Sequence, residues 1–180
     1  MGLLTRRRPP TLPDLSALNA ICAAKPVLAA VGLTPTGAGA VCLKPADRRF
    51  PDLTAHVDVI AAAGRYDDTT DDFGHRWLTR RGDPEAFDDV VADLVAANQR
   101  VIDAGLGGAL LCTLLGFTAA GGPTVLVYRA RRGTWYPVVP AGAQIRDNER
   151  ELSLRDQLGD ALAIEPDLSK WSPLWDAPVP

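Results

Sequence analysis

A change of hydrophobic period near residue 109 constrains this chain more than any other feature. Between Asp83 and Gly105 the apolar residues recur at helical spacing, with Phe87, Val90, Val91, Leu94, Val101 and Ile102 on one stripe. From Ala109 onward the chain reads instead as three β-prone runs, Ala109–Thr118, Thr124–Arg131 and Thr134–Val139. They are separated by a Gly-Gly-Pro turn and by Arg132-Gly133. Connections this short join antiparallel neighbours, because a parallel pair needs a crossover of about a dozen residues or more. The expectation is a three-strand meander at the C-terminal side of an antiparallel sheet.

The rest of the chain supplies helices and further strands. Leu15, Leu18 and Cys22 give a helical stripe over Pro13–Ala24, ended by Pro26, while Val27–Leu33 suits a helix and a strand equally. Ala40–Lys44 reads as a strand stopped by Pro45. Phe50–Ala63 reads as a helix, with Pro51 early and Leu53, Val57, Ile60 and Ala61 on one side. Tyr66–Gly74 is a polar, acidic connection and His75–Arg80 a strand. Asp83 caps the long helix, with Pro84 at its first position. Asp147–Ala163 is helical, with Leu154, Leu158 and Leu162 in line and Glu151 one turn before Arg155 for an i,i+4 attraction. Helices before, between and after strands that end in a meander indicate a single α+β domain, an antiparallel sheet with helices packed on one face. Residues 1–10 form a mobile basic, proline-rich tail, residues 11–180 the domain, and residues 165–180 a Trp/Pro-rich extension packed on it.

Composition narrows the function classes. A chain of 180 residues that is 47% hydrophobic can bury one substantial core. Its net charge of -3 gives no overall positive field, which argues against nucleic acid as a partner. Cys22, Cys42 and Cys112 cannot all pair within the chain and lack the close spacing of a zinc or redox motif, so they read as buried thiols of a reducing compartment. Arg6, Arg7 and Arg8 precede no apolar segment of signal-peptide type. The uncharged stretch Ala104–Tyr128 is broken by glycines and Pro123, so no transmembrane span is expected. The reading is a cytoplasmic protein that reaches the inner face of the membrane only through a partner.

No constellation supports catalysis, a metal or a cofactor. His56 and His75 are the two histidines and share no metal-binding spacing. Cys112, inside Leu110-Leu111-Cys112-Thr113-Leu114, is expected to be a core thiol with a raised pKa. The acidic run Asp67-Asp68-Thr69-Thr70-Asp71-Asp72 lacks the glycine and glutamate of a calcium loop and reads as a solvated loop. Arg131, Arg132, Trp135 and Tyr136 gather cations and rings at a turn, where partial exposure is expected. Trp, Tyr and Arg most often anchor interfaces, so these four form the candidate partner-binding patch. Trp171 and Trp175 are expected to pin the C-terminal segment to the sheet.

Several stretches together carry a family resemblance. They are Pro35-Thr36-Gly37 with Ala40-Val41-Cys42, Ala109-Leu110-Leu111-Cys112, Arg132-Gly133-Thr134-Trp135-Tyr136-Pro137, Arg146-Asp147-Asn148, and Glu165-Pro166-Asp167-Leu168-Ser169-Lys170-Trp171 with Pro173-Leu174-Trp175. In these the chain resembles the PspA-associated protein PspAB family, from about Leu12 onward. The resemblance implies an accessory protein of the phage-shock-type envelope-stress response, linked with a PspA-like membrane-remodelling protein and often with an HtpX-type membrane metalloprotease. It brings no catalytic residues. The expected function is therefore a non-enzymatic adaptor. The rival readings are a small chaperone that accepts extended segments along a sheet edge and an enzyme of unrecognised chemistry.

Overall fold

In the computed structural model, described over residues 13–63, 65–175 and 177–179, the chain forms an open six-stranded antiparallel sheet. The elements run α1 (Leu15–Asn19), α2 (Lys25–Ala30), β1 (Thr34–Leu43), α3 (Leu53–Ala62), β2 (Asp67–Thr70), β3 (Arg76–Arg81), α4 (Phe87–Asp103), β4 (Leu110–Ala119), β5 (Gly122–Arg129), β6 (Thr134–Val138), β7 (Pro140–Gly142), β8 (Ile145–Arg146) and α5 (Asn148–Leu158). The spatial order is β2-β3-β1-β4-β5-β6, with β4, β5 and β6 as the expected meander; β7 and β8 form a separate hairpin. The tail expected at residues 1–10 lies outside the described residues.

Period-2 alternation divides the strand side chains between two buried faces. Val41 and Leu43 of β1, Leu115 and Phe117 of β4, Leu126 and Tyr128 of β5 and Trp135 of β6 join the helices in the larger cluster. Cys42, Cys112, Leu114, Val125, Val127, Tyr136 and Val138 point the other way. The helices occupy one face, as expected. The opposite face is covered by the C-terminal segment, through Trp171 and Val179.

Helix α4 is the main contact of the helical layer with the sheet. A Cβ at Gly39 would lie 2.8 Å from the Leu114 backbone oxygen of β4 and 2.5 Å from Leu94 Cδ1 of α4, so glycine is required there. Asn98, wholly buried, donates from Nδ2 to Thr113 Oγ1 at 2.9 Å and ties α4 to β4. At the other end of the domain, Gly133 supplies the left-handed φ of 67° that closes the β5–β6 turn.

One open alternative is settled and two local expectations change. Val27–Leu33 is mostly helix α2, because Pro26 sits in the first turn, where its missing N–H costs nothing, instead of only ending the preceding helix. The polar connection over Tyr66–Gly74 contains strand β2, whose four exposed residues pair with β3. An exposed edge strand buries neither face, so it carries no hydrophobic alternation to read. Glu151 does not pair with Arg155. It is buried at 2% exposure, and its Oε1 accepts from Arg146 Nε and from the Val139 backbone N–H, both at 2.8 Å. The β7–β8 hairpin delivers Arg146 to the carboxylate, and Arg155 pairs with Asp156.

Candidate functional site

The β5–β6 turn places the four patch residues in three different environments. Strand alternation sends Trp135 to the helical face and Tyr136 to the opposite one. Trp135 is fully buried, its Nε1 donating to the Ala17 carbonyl at 3.0 Å and its ring 5.2 Å from that of Tyr128. Tyr136 is 2% exposed, lies 5.8 Å from the Trp171 ring, and donates its hydroxyl to Ser172 O. The exposure expected of this aromatic pair is thus corrected: a strand continuing straight out of a tight turn carries both rings into the core. Arg131 and Arg132 remain at the surface.

Glu165 organises this end of the sheet. The backbone of the C-terminal segment runs alongside β6, with Trp135 N donating to Ala163 O and Glu165 N to Trp135 O, each at 2.8 Å. That pairing buries the Glu165 carboxylate completely. It is met by Arg129 Nη1 at 3.0 Å, Arg132 Nε at 2.5 Å and Thr134 Oγ1 at 3.0 Å, and by the Asp167 backbone N–H. Burial alone would raise its pKa, but these donors outweigh it and hold the carboxyl below its ordinary value. Trp171 donates Nε1 to the Glu165 carbonyl, which locks the tail tryptophan onto the same residue.

The cations at this end extend beyond the turn. Lys44, at the end of β1, donates to Gly108 O at 2.9 Å, and its ammonium lies 5.7 Å from the Phe50 ring. Its pKa is lowered, first by burial and then by the nearby charges of Arg131 and Arg49. The register of β1, β4 and β5 brings Lys44 and Arg131 to the same end of the sheet although they are far apart in sequence, and Lys44 and Arg49 both lie against the Phe50 ring. Arg48 and Arg49 are exposed, and Asp47 bonds Arg49. Sequence reading missed Lys44 and Arg49 because only the β1–β4–β5 pairing brings them to the turn.

The residues weighed for chemistry are tied into the fold. Asp68 pairs with Arg76, while Asp71 Oδ2 accepts from Trp77 Nε1 at 3.0 Å and meets His75 Nδ1 at 3.1 Å. Burial raises the Asp71 pKa, but the Trp77 and His75 bonds prevail and leave it lowered. His56 Nδ1 lies against the Asp52 carbonyl. Cys42 is pushed up by its contact with the Cys112 thiol and by burial, and Cys22 is pushed up to about 11 by burial and Asp88. These are not activated nucleophiles. No cluster of three or more metal-ligating side chains occurs among the described residues.

A pH dependence of stability follows from the lowered carboxyls of Asp71, Asp93 and Glu165. A group whose folded pKa is depressed stabilises fully above its unfolded value and loses that contribution as the pH falls through the folded one. The melting temperature is expected to decline as the pH drops below the ordinary values of 4.5 for Glu and 3.8 for Asp. Calorimetric scans from pH 7 to pH 3 check this, and a melting temperature that rose on acidification would contradict it.

Fold and surface together define a single-domain α+β protein with an open antiparallel sheet, helices on one face and a C-terminal segment strapped across the other. The family model PspAB, PspA associated protein B, matches residues 1–179, and the chain belongs to that family. No curated protein and no solved structure matches it. No helix among the described residues is long and apolar enough to cross a membrane.

Proposed function

We propose that this protein is a non-enzymatic accessory protein that binds a PspA-like membrane-remodelling protein through its cationic end. Arg131 and Arg132 of the β5–β6 turn, with Lys44 and Arg49, form the contact surface. The observation that carries the reading is the placement of these cations at one end of the sheet, in a chain whose net charge is -3. Such a cluster attracts an acidic segment of a partner, raises the association rate and fixes orientation. Membership of a family named for association with PspA supplies the candidate partner.

Two features weigh against the rival readings. A chaperone that adds an extended peptide to a sheet needs a long open edge. Strand β2 is only four residues long and carries Asp67 and Asp68, while the β6 edge is bridged by Ile164. For an enzyme, the thiol of Cys42 is raised rather than activated, and the Asp71 carboxylate is committed to Trp77 and His75.

The test is binding of the purified chain to the PspA-like protein of the same cell, with an HtpX-type protease as a second candidate. The Arg49→Glu/Arg131→Glu double variant reverses two exposed charges. It is expected to weaken capture of the PspA-like protein by at least ~10-fold, and high salt is expected to weaken the parent complex similarly. The melting temperature is expected to stay within about 2 °C, since surface substitutions rarely shift stability much. Capture of the PspA-like protein by the folded double variant at parental affinity would remove the cationic end as the contact surface. Binding to the protease alone would remove the PspA-like partner.

A further inference from the structure

The sheet face opposite the helices contains a cavity of about 540 Å³, within the usual range for small-molecule sites. Its floor is one register row across four strands. Trp77 of β3 lies opposite Cys42 of β1, Cys42 opposite Cys112 of β4, and Cys112 opposite Arg129 of β5. Directly opposed residues project to the same side of a sheet, and all four line the cavity. The hollow exists because two small thiols lie between a large indole and a long guanidinium. From β3 to β5 the row spans three inter-strand spacings, ~14 Å. Leu174 and Trp175 of the C-terminal segment form part of the opposite wall.

The two ends of the row differ in charge. At the β3 end, the Asp71 carboxylate is occupied by Trp77 and His75. At the β5 end, Arg129 donates to the buried Glu165 carboxylate through Nη1 and shares it with the more exposed Arg132, which Asp167 also faces, so the rest of the Arg129 guanidinium offers donors to an anion in the cavity. Between the ends the floor offers only thiols, with the Tyr136 hydroxyl already donated to Ser172 O. A ligand that fits has an apolar body and a single anionic head.

We infer that this cavity binds a single-chain amphipathic anion, its head at Arg129 and its apolar body along Cys112 and Cys42 toward Trp77. The carboxylate of Asp71 repels an anionic head at the far end and so sets the direction of binding. A guanidinium suits either a carboxylate or a phosphate head. The cavity faces away from the helical layer, and the inference stands independently of the partner contact proposed above.

Paired fluorescent probes test it with the full chain. 1-Anilinonaphthalene-8-sulfonate carries an anionic group, whereas N-phenyl-1-naphthylamine has a similar aromatic body without it. The sulfonate is expected to bind saturably at one site and the neutral probe at least ~10-fold more weakly. Laurate and dodecyl phosphate are expected to displace the sulfonate, and their relative potency identifies the preferred head. Arg129→Gln is expected to weaken the sulfonate by about 10-fold or more and leave the neutral probe unchanged, while Arg129→Lys retains most sulfonate binding. Cys112→Leu, which fills the floor without touching the charge, is expected to weaken both probes. The inference is overturned if the sulfonate shows no saturable site, if the parent binds both probes equally, if neither amphiphile displaces, or if folded Arg129→Gln loses both probes alike.

Discussion

Replacing Trp135 by alanine is expected to lower the unfolding free energy by about 3–5 kcal/mol, the usual range for removing a fully buried large aromatic side chain. Three losses combine. The indole is wholly buried between the sheet and the N-terminal helices, and its removal leaves a cavity that the surrounding strands cannot close. Its contact with the Tyr128 ring disappears. The Ala17 carbonyl also loses the donor that ties α1 to β6. Urea titration followed by circular dichroism measures the effect. The alternative, in which Trp135 is a surface anchor, gives a folded variant of near-parental stability that fails only in partner capture. A loss below about 1 kcal/mol would favour that alternative, because surface substitutions seldom exceed it. Arg131, exposed at the same turn, gives the contrasting case, with little effect on stability and a large one on the proposed binding.

Removal of residues 165–180 is expected to produce the second large effect, a fall in melting temperature of roughly 8–16 °C. Trp171 is 8% exposed, and an aromatic ring of this class buries ~150–250 Å², worth about 4–6 kcal/mol at ~25 cal/mol per Å². Measured net losses for a buried aromatic side chain run at about 3–5 kcal/mol, and about 4 kcal/mol corresponds to the stated fall at ~2–4 °C per kcal/mol for a domain of this size. The truncation also removes the Glu165 carboxylate from between Arg129 and Arg132, and uncovers Tyr136 and Val138. Trp171→Ala in the full chain separates the two causes, since it keeps Glu165 in place and is expected to give only part of the shift. An unchanged melting temperature after truncation would mean that the segment does not stabilise the sheet it covers.

Glu165 shows how little of this arrangement is visible in a linear reading. In sequence it opens a proline-broken stretch, and nothing in its neighbours indicates complete burial. It becomes the centre of a charged network only because Ile164 runs beside Trp135 and turns the next side chain inward between two arginines. The patch behaved in the same way. Sequence correctly placed Arg131 and Arg132 at a turn, but whether Trp135 and Tyr136 were exposed depended on what covers each face of β6. That turned out to be α1 on one side and the C-terminal segment on the other. Cys112 reads as a core residue from the leucines around it, and Cys42 is buried with it, whereas Cys22, expected to be buried too, is only half-buried. The direct opposition of Cys42 and Cys112 across β1 and β4 is a matter of register, and a slip of one residue would have sent one of them to the helical face.

By itself the sequence determined the elements whose signal is local: the helical period of α4, the period-2 runs of the meander, and the turn closed by Gly133. These depend on backbone geometry and side-chain spacing within a few residues of one another. Only the tertiary structure decided what is non-local. It drew β2 into the sheet, moved Glu151 from Arg155 to Arg146, brought Lys44 and Arg131 to one end of the sheet, and folded the C-terminal segment over the second face. Each of those outcomes is a contact between distant segments, and its energy exists only after strand order and register have brought the partners together.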